Sequence, residues 1–182
     1  MGAIRVALLR GVNLGARNKV PMPALRTELE ALGLLGVETY LQSGNAVFES
    51  RGGREAALAT EIEARIAKAF GVDAAVVLRT AAAMKKVVSA CPFADTASCH
   101  VVFLDRAPKA AAVAKLDPDR STPDAFEVTG REIYLRLPNG AGRSKLTLDY
   151  FERVLGVRGT ARNWRTVSAL VELTRKRART DG

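Results

Sequence analysis

The sequence predicts an α+β protein built of two similar halves, and three observations predict it. Short segments with period-two or β-branched patterning alternate with segments whose apolar residues recur every three or four positions. The order of these segments in the first half is β-α-β-β-α-β, and most of that order repeats in the second. At 182 residues, 48% of them hydrophobic, the chain can bury roughly 70% of its unfolded surface without staples.

In the first half, AIRVALLR (3–10), VETYLQ (37–42), AVFES (46–50) and AAVVLR (74–79) read as strands. A helix between the first two carries Met22, Leu25, Leu29 and Leu32 on one stripe, opened by Pro21 and Pro23 and closed by Gly33. A second helix places Leu58, Ile62, Ile66 and Phe70 at intervals of four and ends at Gly71. Ser43-Gly44-Asn45 joins the middle strands as a hairpin. This order is the split βαβ, ferredoxin-like arrangement. A short helix near 80–89 follows. The second half starts with a strand at His100–Asp105 and a helix from Lys109 to Leu116, then a hairpin of Ala125–Thr129 and Glu132–Leu137 through Gly130 and Arg131. Two helices close the chain, one over 146–155 with Leu148, Phe151 and Leu155 inward, the other from Asn163 with Trp164, Val167 and Val171 inward. A helix thus stands where a fourth strand would be expected. The seam falls in the unpatterned CPFADTASC stretch, giving subdomains at 1–90 and 91–182.

The net charge of +9 is unevenly placed: residues 143–179 carry +7, residues 1–27 carry +5, and the remainder sums to −3. Two positive segments would concentrate phosphates or carboxylates near the protein. No run of about 18 uncharged apolar residues and no signal-peptide pattern occurs, so no membrane partner and a cytoplasmic setting are expected. Cys91 and Cys99 lie eight positions apart, without CxxC spacing, which favours reduced, half-buried thiols.

Four segments could carry chemistry. Arg10-Gly11-Val12-Asn13-Leu14-Gly15, with Asn18 and Lys19, runs directly off an apolar strand toward a helix. Its glycines admit a close backbone approach, and its Arg, Lys and Asn side chains suit an anion. It matches neither GxxxxGK[ST] nor GxGxxG, and a self-capping turn explains the same residues. Gln42, Ser43 and Asn45 stand at the first hairpin tip, where turn geometry alone accounts for Gly44 and Asn45. Arg143, Ser144 and Lys145 place two cations beside a hydroxyl at a helix start, an arrangement that suits a bound phosphate or simply a solvated basic loop. Arg162 precedes Asn163, a candidate N-cap, and Trp164, a candidate core anchor.

Catalytic machinery is not visible. His100 is the only histidine and opens an apolar strand, where capping or packing competes with general-base duty. One His and no clustered carboxylates argue against a metal site, and no cofactor motif occurs. Aromatics at 5% are too few for a base-stacking sheet.

Four of these stretches, RVALLRGVNLGARNKVPMPALR, TYLQSGNAVFES, GRSKLTLDYFERVLG and RNWRTVSALVEL, together resemble the successive signature blocks of the bacterial family called domain of unknown function 1697. The blocks run in order from near one end to near the other. The resemblance implies a cytoplasmic α+β protein of two similar ferredoxin-like subdomains and no stated activity. It implies that Arg10, Asn13, Lys19, Gln42, Ser43, Asn45, Lys145, Arg162, Asn163 and Trp164 stand at signature positions, while Leu14 and Ala16 depart from the pattern.

The residues therefore predict a basic cleft between the halves that binds an anionic small molecule or nucleotide through Arg10, Asn13, Asn18, Lys19, Gln42, Ser43, Asn45, Arg143, Ser144, Lys145, Arg162 and Asn163. A nucleic acid held by the +7 segment is the alternative, and a structural protein with no small ligand is a third.

Overall fold

The structure, a computed structural model, describes residues 2–180, Thr180 by its backbone only. It is an α+β protein with two four-stranded antiparallel sheets. The chain divides into two compact units, one formed by residues up to 86 together with those from 169 onward, the other by 87–168. The division therefore falls a few residues before the CPFADTASC stretch, and the last helix contributes most of its length to the first unit.

In the first unit, β1 (Ala3–Leu9), α1 (Met22–Ala31), β2 (Leu35–Tyr40), β3 (Asn45–Ser50), α2 (Glu55–Phe70) and β4 (Val76–Thr80) follow one another. They form a sheet of order β2-β3-β1-β4. β1 lies centrally, antiparallel to both neighbours, with Leu8 opposite Asn45 and Leu9 opposite Val76. Alternation along β1 sends Ala7 and Leu9 to the face that also carries Ala46, Phe48 and Leu78, and there Leu25 and Leu29 of α1 and Ile62 and Ile66 of α2 complete the core. Every one of these side chains is at most 3% exposed. Val6, Leu8, Val47 and Val77, on the opposite face, are buried too, which is why β1 and β4 read as continuous apolar runs rather than as strict alternation. α2 stops at Gly71, whose φ of 65° supplies the left-handed C-terminal residue. Arg65 of α2 and Glu28 of α1 pair across the two helices.

α3 (Ala81–Ser89) runs across the division into the second unit, where β5 (Cys99–Leu104), α4 (Ala110–Val113), β6 (Ala125–Thr129), β7 (Glu132–Arg136), α5 (Leu148–Leu155) and β8 (Gly159–Asn163) follow. The sheet order is β6-β7-β5-β8, the counterpart of the first. Val102, Leu104, Ile133 and Leu135 meet Tyr150, Phe151 and Leu155 of α5, and Phe126 packs edge-on against Phe151 at 5.5 Å. Thr147 Oγ1 accepts from Tyr150 N–H at 3.2 Å and caps α5. α6 (Trp164–Thr180) closes the chain.

Two sequence expectations for this half need correction. The fourth strand is present: β8 pairs with β5 from Leu104↔Gly159 to His100↔Asn163. It escaped the pattern because it buries a threonine and an arginine, Thr160 and Arg162, rather than aliphatic side chains. Asn163 accordingly ends a strand and caps the helix that follows, its Oδ1 accepting from Thr166 N–H at 2.8 Å. The helix expected over Lys109–Leu116 shrinks to the four residues of α4, because Lys109 offers no side-chain cap and Pro118 follows closely. Leu116 still reaches the core.

Candidate functional site

At one end of the first sheet, β1 finishes, β3 begins, and the long β1–α1 loop meets the β2–β3 hairpin. Asn13 holds the two together. Its Nδ2 donates to Val20 O and to Gln42 O, both at 2.8 Å, and its Oδ1 accepts from Val20 N–H at 2.8 Å. Its own N–H donates to Asn18 O at 2.8 Å, and Asn18 Nδ2 reaches back to Gly11 O at 3.0 Å. Both asparagines adopt positive φ, 56° and 50°, a region asparagine tolerates better than other side chains. The 11–20 loop is thus folded by its own amides, and the hairpin tip is pinned to it.

The hairpin is equally determined. Asn45 is fully buried, with Nδ2 donating to Tyr40 O at 2.7 Å and Ser43 Oγ at 3.0 Å. Leu9 N–H donates to Gly44 O at 2.8 Å. A Cβ on Gly44 would stand 2.5 Å from Val12 Cγ2 and 2.8 Å from Leu9 Cβ, at a φ of 78°, so only glycine fits.

Asn13, Asn18, Ser43 and Asn45, read from the sequence as ligand contacts, therefore serve the local architecture. Around them stand Arg10, half-buried, and the exposed Arg17, Lys19 and Gln42. Arg10 N–H donates to Ala75 O at 2.8 Å, and the exposed Asp73 lies on that same lead-in to β4. Arg17, one of the basic residues of the 1–27 segment, lies on the same loop, in the turn closed by Arg17 N–H to Leu14 O at 3.2 Å. Leu14 and Leu41 project from the two tips, 68% and 53% exposed, and add apolar surface beside the cations.

The remaining sequence candidates lie in the second unit, at the end of its sheet where β5 starts. Arg143 and Lys145 are exposed in the β7–α5 connection. Ser144 Oγ accepts from Leu146 N–H at 3.0 Å, a turn-forming bond. The connection is tied to the loop before β6: Lys145 N–H donates to Ser121 Oγ at 3.0 Å, and Arg120 Nε donates to Lys145 O at 3.0 Å while its guanidinium lies 4.0 Å over the Tyr150 ring. Arg162 turns inward. Its Nη1 donates to Thr160 Oγ1 at 2.7 Å and Ala161 O at 2.8 Å, and burial pushes its pKa down to about 10, so it keeps its charge at neutral pH. Trp164 is half-buried rather than a full core anchor.

His100, in β5 between Leu135 and Asn163, has its Nδ1 buried without a hydrogen-bond partner, and burial lowers its pKa. Both cysteines are free thiols. Cys99 Sγ donates to Asp95 O at 3.1 Å, and burial, then the neighbouring Cys91, pushes its pKa up to about 11. No helix among the described residues is long and apolar enough to cross a membrane.

Comparison with known proteins places the chain. No curated protein matches it. A solved structure titled as that of a conserved bacterial protein, SP0830 from Streptococcus pneumoniae, aligns with a TM-score of 0.73 over 96% of this chain and 99% of the other. At 22% identity it shows a shared fold. Residues 3–134 match the family described as protein of unknown function (DUF1697), a stretch that takes in all of the first sheet and runs into β7 of the second, and the chain belongs to that family.

Proposed function

We propose that this is a binding protein for a small anionic ligand, phosphorylated or carboxylated, held at the loop end of the first unit by Arg10, Arg17, Lys19 and Gln42. The observation that carries the reading is the three-bond clamp of Asn13, which fixes the 11–20 loop against the hairpin tip before any ligand arrives. A loop ordered in advance holds its cations without paying the ordering entropy on binding. The β1–α1 loop contributes Arg10, Arg17 and Lys19 and no acidic residue, so the local field favours anions. Exposed Leu14 and Leu41 favour a ligand with a flat or apolar portion, such as a nucleotide, over a bare ion. We read both units as ferredoxin-like, on the strand orders β2-β3-β1-β4 and β6-β7-β5-β8, and the setting as cytoplasmic, in keeping with two reduced thiols.

The test is a binding screen of inorganic phosphate, citrate and adenosine monophosphate against the natural chain and an Arg17→Ala/Lys19→Ala variant. Removing both cations is expected to weaken binding about tenfold or more while changing stability by less than about 1 kcal/mol, as for exposed side chains outside the core. Equal affinity in the two proteins would overturn the assignment. The nucleic-acid alternative is separated by salt, since contacts to several phosphates give a steep log–log decline that a single small anion does not.

A further inference from the structure

The opposite end of the same sheet, where β1 begins and β3 ends, holds a second arrangement that the reading above does not use. Arg5 and Ser50 lie on the helix-bearing face, the side chains of β1 and β3 being paired Ala3↔Ser50 and Arg5↔Phe48. Both are more than nine-tenths buried, at 6% and 3% exposure. Arg5 Nη2 donates to Gly53 O at 2.9 Å, but its Nε and Nη1, and the Oγ of Ser50, are buried with no hydrogen-bond partner. An unsatisfied buried guanidinium is among the costliest defects a folded chain can carry, and such groups call for an explanation.

Directly beside them α2 starts. It is a 16-residue helix whose first turn has no side-chain cap, and it is entered through Arg51-Gly52-Gly53-Arg54. Arg5 bonds Gly53 O two residues ahead of Glu55, so the positive dipole end of α2 lies close to its guanidinium. A cleft of about 460 Å³ opens here, with Ser50, Arg51 and Gly52 at its polar end and Leu34, Leu35 and Leu58 along its apolar wall. Leu35 is 44% exposed, an apolar side chain awaiting cover. Gly52 and Gly53, beside Ser50 and bonded to Arg5, stand at φ of 101° and 97° with open space on the side a Cβ would take.

We infer that this cleft is a site for a phosphomonoester carrying an apolar group. The phosphate would sit at the α2 N-terminus, accepting from its backbone amides, from Arg5 and from the Ser50 hydroxyl, with Arg51 and Arg54 at the rim; the apolar group would lie along Leu34, Leu35 and Leu58. Two carboxylates stand nearby, Glu55 in the first turn of α2 and Glu61 in the cleft wall, and Glu61 opposes the anion.

The experiment is a calorimetric titration of phenyl phosphate, inorganic phosphate and benzyl alcohol into the full chain, with backbone amide shifts recorded in parallel. Phenyl phosphate is expected to bind more tightly than either of the others and to shift the amides of Gly52 to Ala57. Ser50→Ala should weaken it about tenfold, the loss of one hydrogen bond to a charged group. Glu61→Gln should tighten it about threefold by removing a like charge, a gain that misfolding cannot mimic. The Arg17→Ala/Lys19→Ala variant should bind phenyl phosphate here unchanged, which separates this site from the loop end. Phenyl phosphate binding no better than benzyl alcohol, or affinity indifferent to both Ser50→Ala and Glu61→Gln, overturns the assignment.

Discussion

A single methyl group at Gly44 would do more harm to the loop end than the removal of any one of its cations. Gly44→Ala must take a positive φ and push against Val12 and Leu9, both core residues, and is expected to cost on the order of 3 kcal/mol. For a chain of this size that is a fall in Tm of roughly 6–12 °C, read by calorimetry. A shift under about 2 °C would show that the hairpin tip yields more freely than the geometry allows. The titrating side chains make separate statements. His100 has a pKa lowered by burial, so the folded chain resists protonation that the unfolded chain accepts: its contribution is intact above the ordinary value of 6.5 and is lost as pH falls below it. His100→Gln should flatten that acid limb of the stability profile, and an unchanged profile would count against it. Cys99 behaves in the opposite direction. With its pKa raised to about 11, the folded state holds the proton more tightly, a stabilising term present below 9 and lost between about 9 and 11. At pH 8 the buried Cys99 is expected to resist a thiol reagent in the native chain and react on unfolding, and rapid native labelling of Cys99 would contradict this.

At the level of elements, most of what the first half does was legible in its sequence, because strand alternation, the Leu25/Leu29 and Ile62/Ile66 stripes and the Gly71 stop are local patterns. β8 was not, since Thr160 and Arg162 give a strand no apolar signature; only its pairing with β5 reveals it. At the candidate site the sequence names the polar residues, but not the hydrogen bonds that fold them. Asn13, Asn18 and Asn45 stand out in the sequence as polar residues near strands, yet which of their amides turn inward to backbone carbonyls depends on how the loop and hairpin meet, a contact 29 residues long in sequence between Asn13 and Gln42. The Arg51-Gly52-Gly53-Arg54 run matches no phosphate-loop spacing, and Arg5 is in sequence one more residue of a strand, so neither carries a local signal. The clamp itself is testable. Asn13→Ala removes three side-chain hydrogen bonds, and at about 1 kcal/mol each the expected loss is roughly 2–3 kcal/mol, with amide exchange accelerated in 11–20 and 41–44 ahead of the sheet. Uniform acceleration across the whole chain would mean that the clamp is no local device.

Across the whole molecule, two units repeat one strand order with different surfaces. In the first, the loop after β1 carries Arg10, Arg17 and Lys19 with no acidic residue before Glu28. In the second, the loop after β5 carries Asp105, paired with Arg106 at 3.2 Å and Arg158 at 3.5 Å, so a carboxylate stands among the cations at the equivalent end. The loop after β1 thus carries cations alone, whereas the loop after β5 mixes them with a carboxylate, a difference that favours the first as the anion site. The central claim is that this end receives a small anion on a preformed surface. It is tested most directly by titrating adenosine monophosphate into the uniformly labelled chain and following every backbone amide. The account predicts saturable shifts concentrated in Arg10–Val20 and Leu41–Asn45, with the midpoint raised about tenfold or more in the Arg17→Ala/Lys19→Ala variant. Saturable shifts located elsewhere, or none in those two segments at millimolar nucleotide, would contradict it.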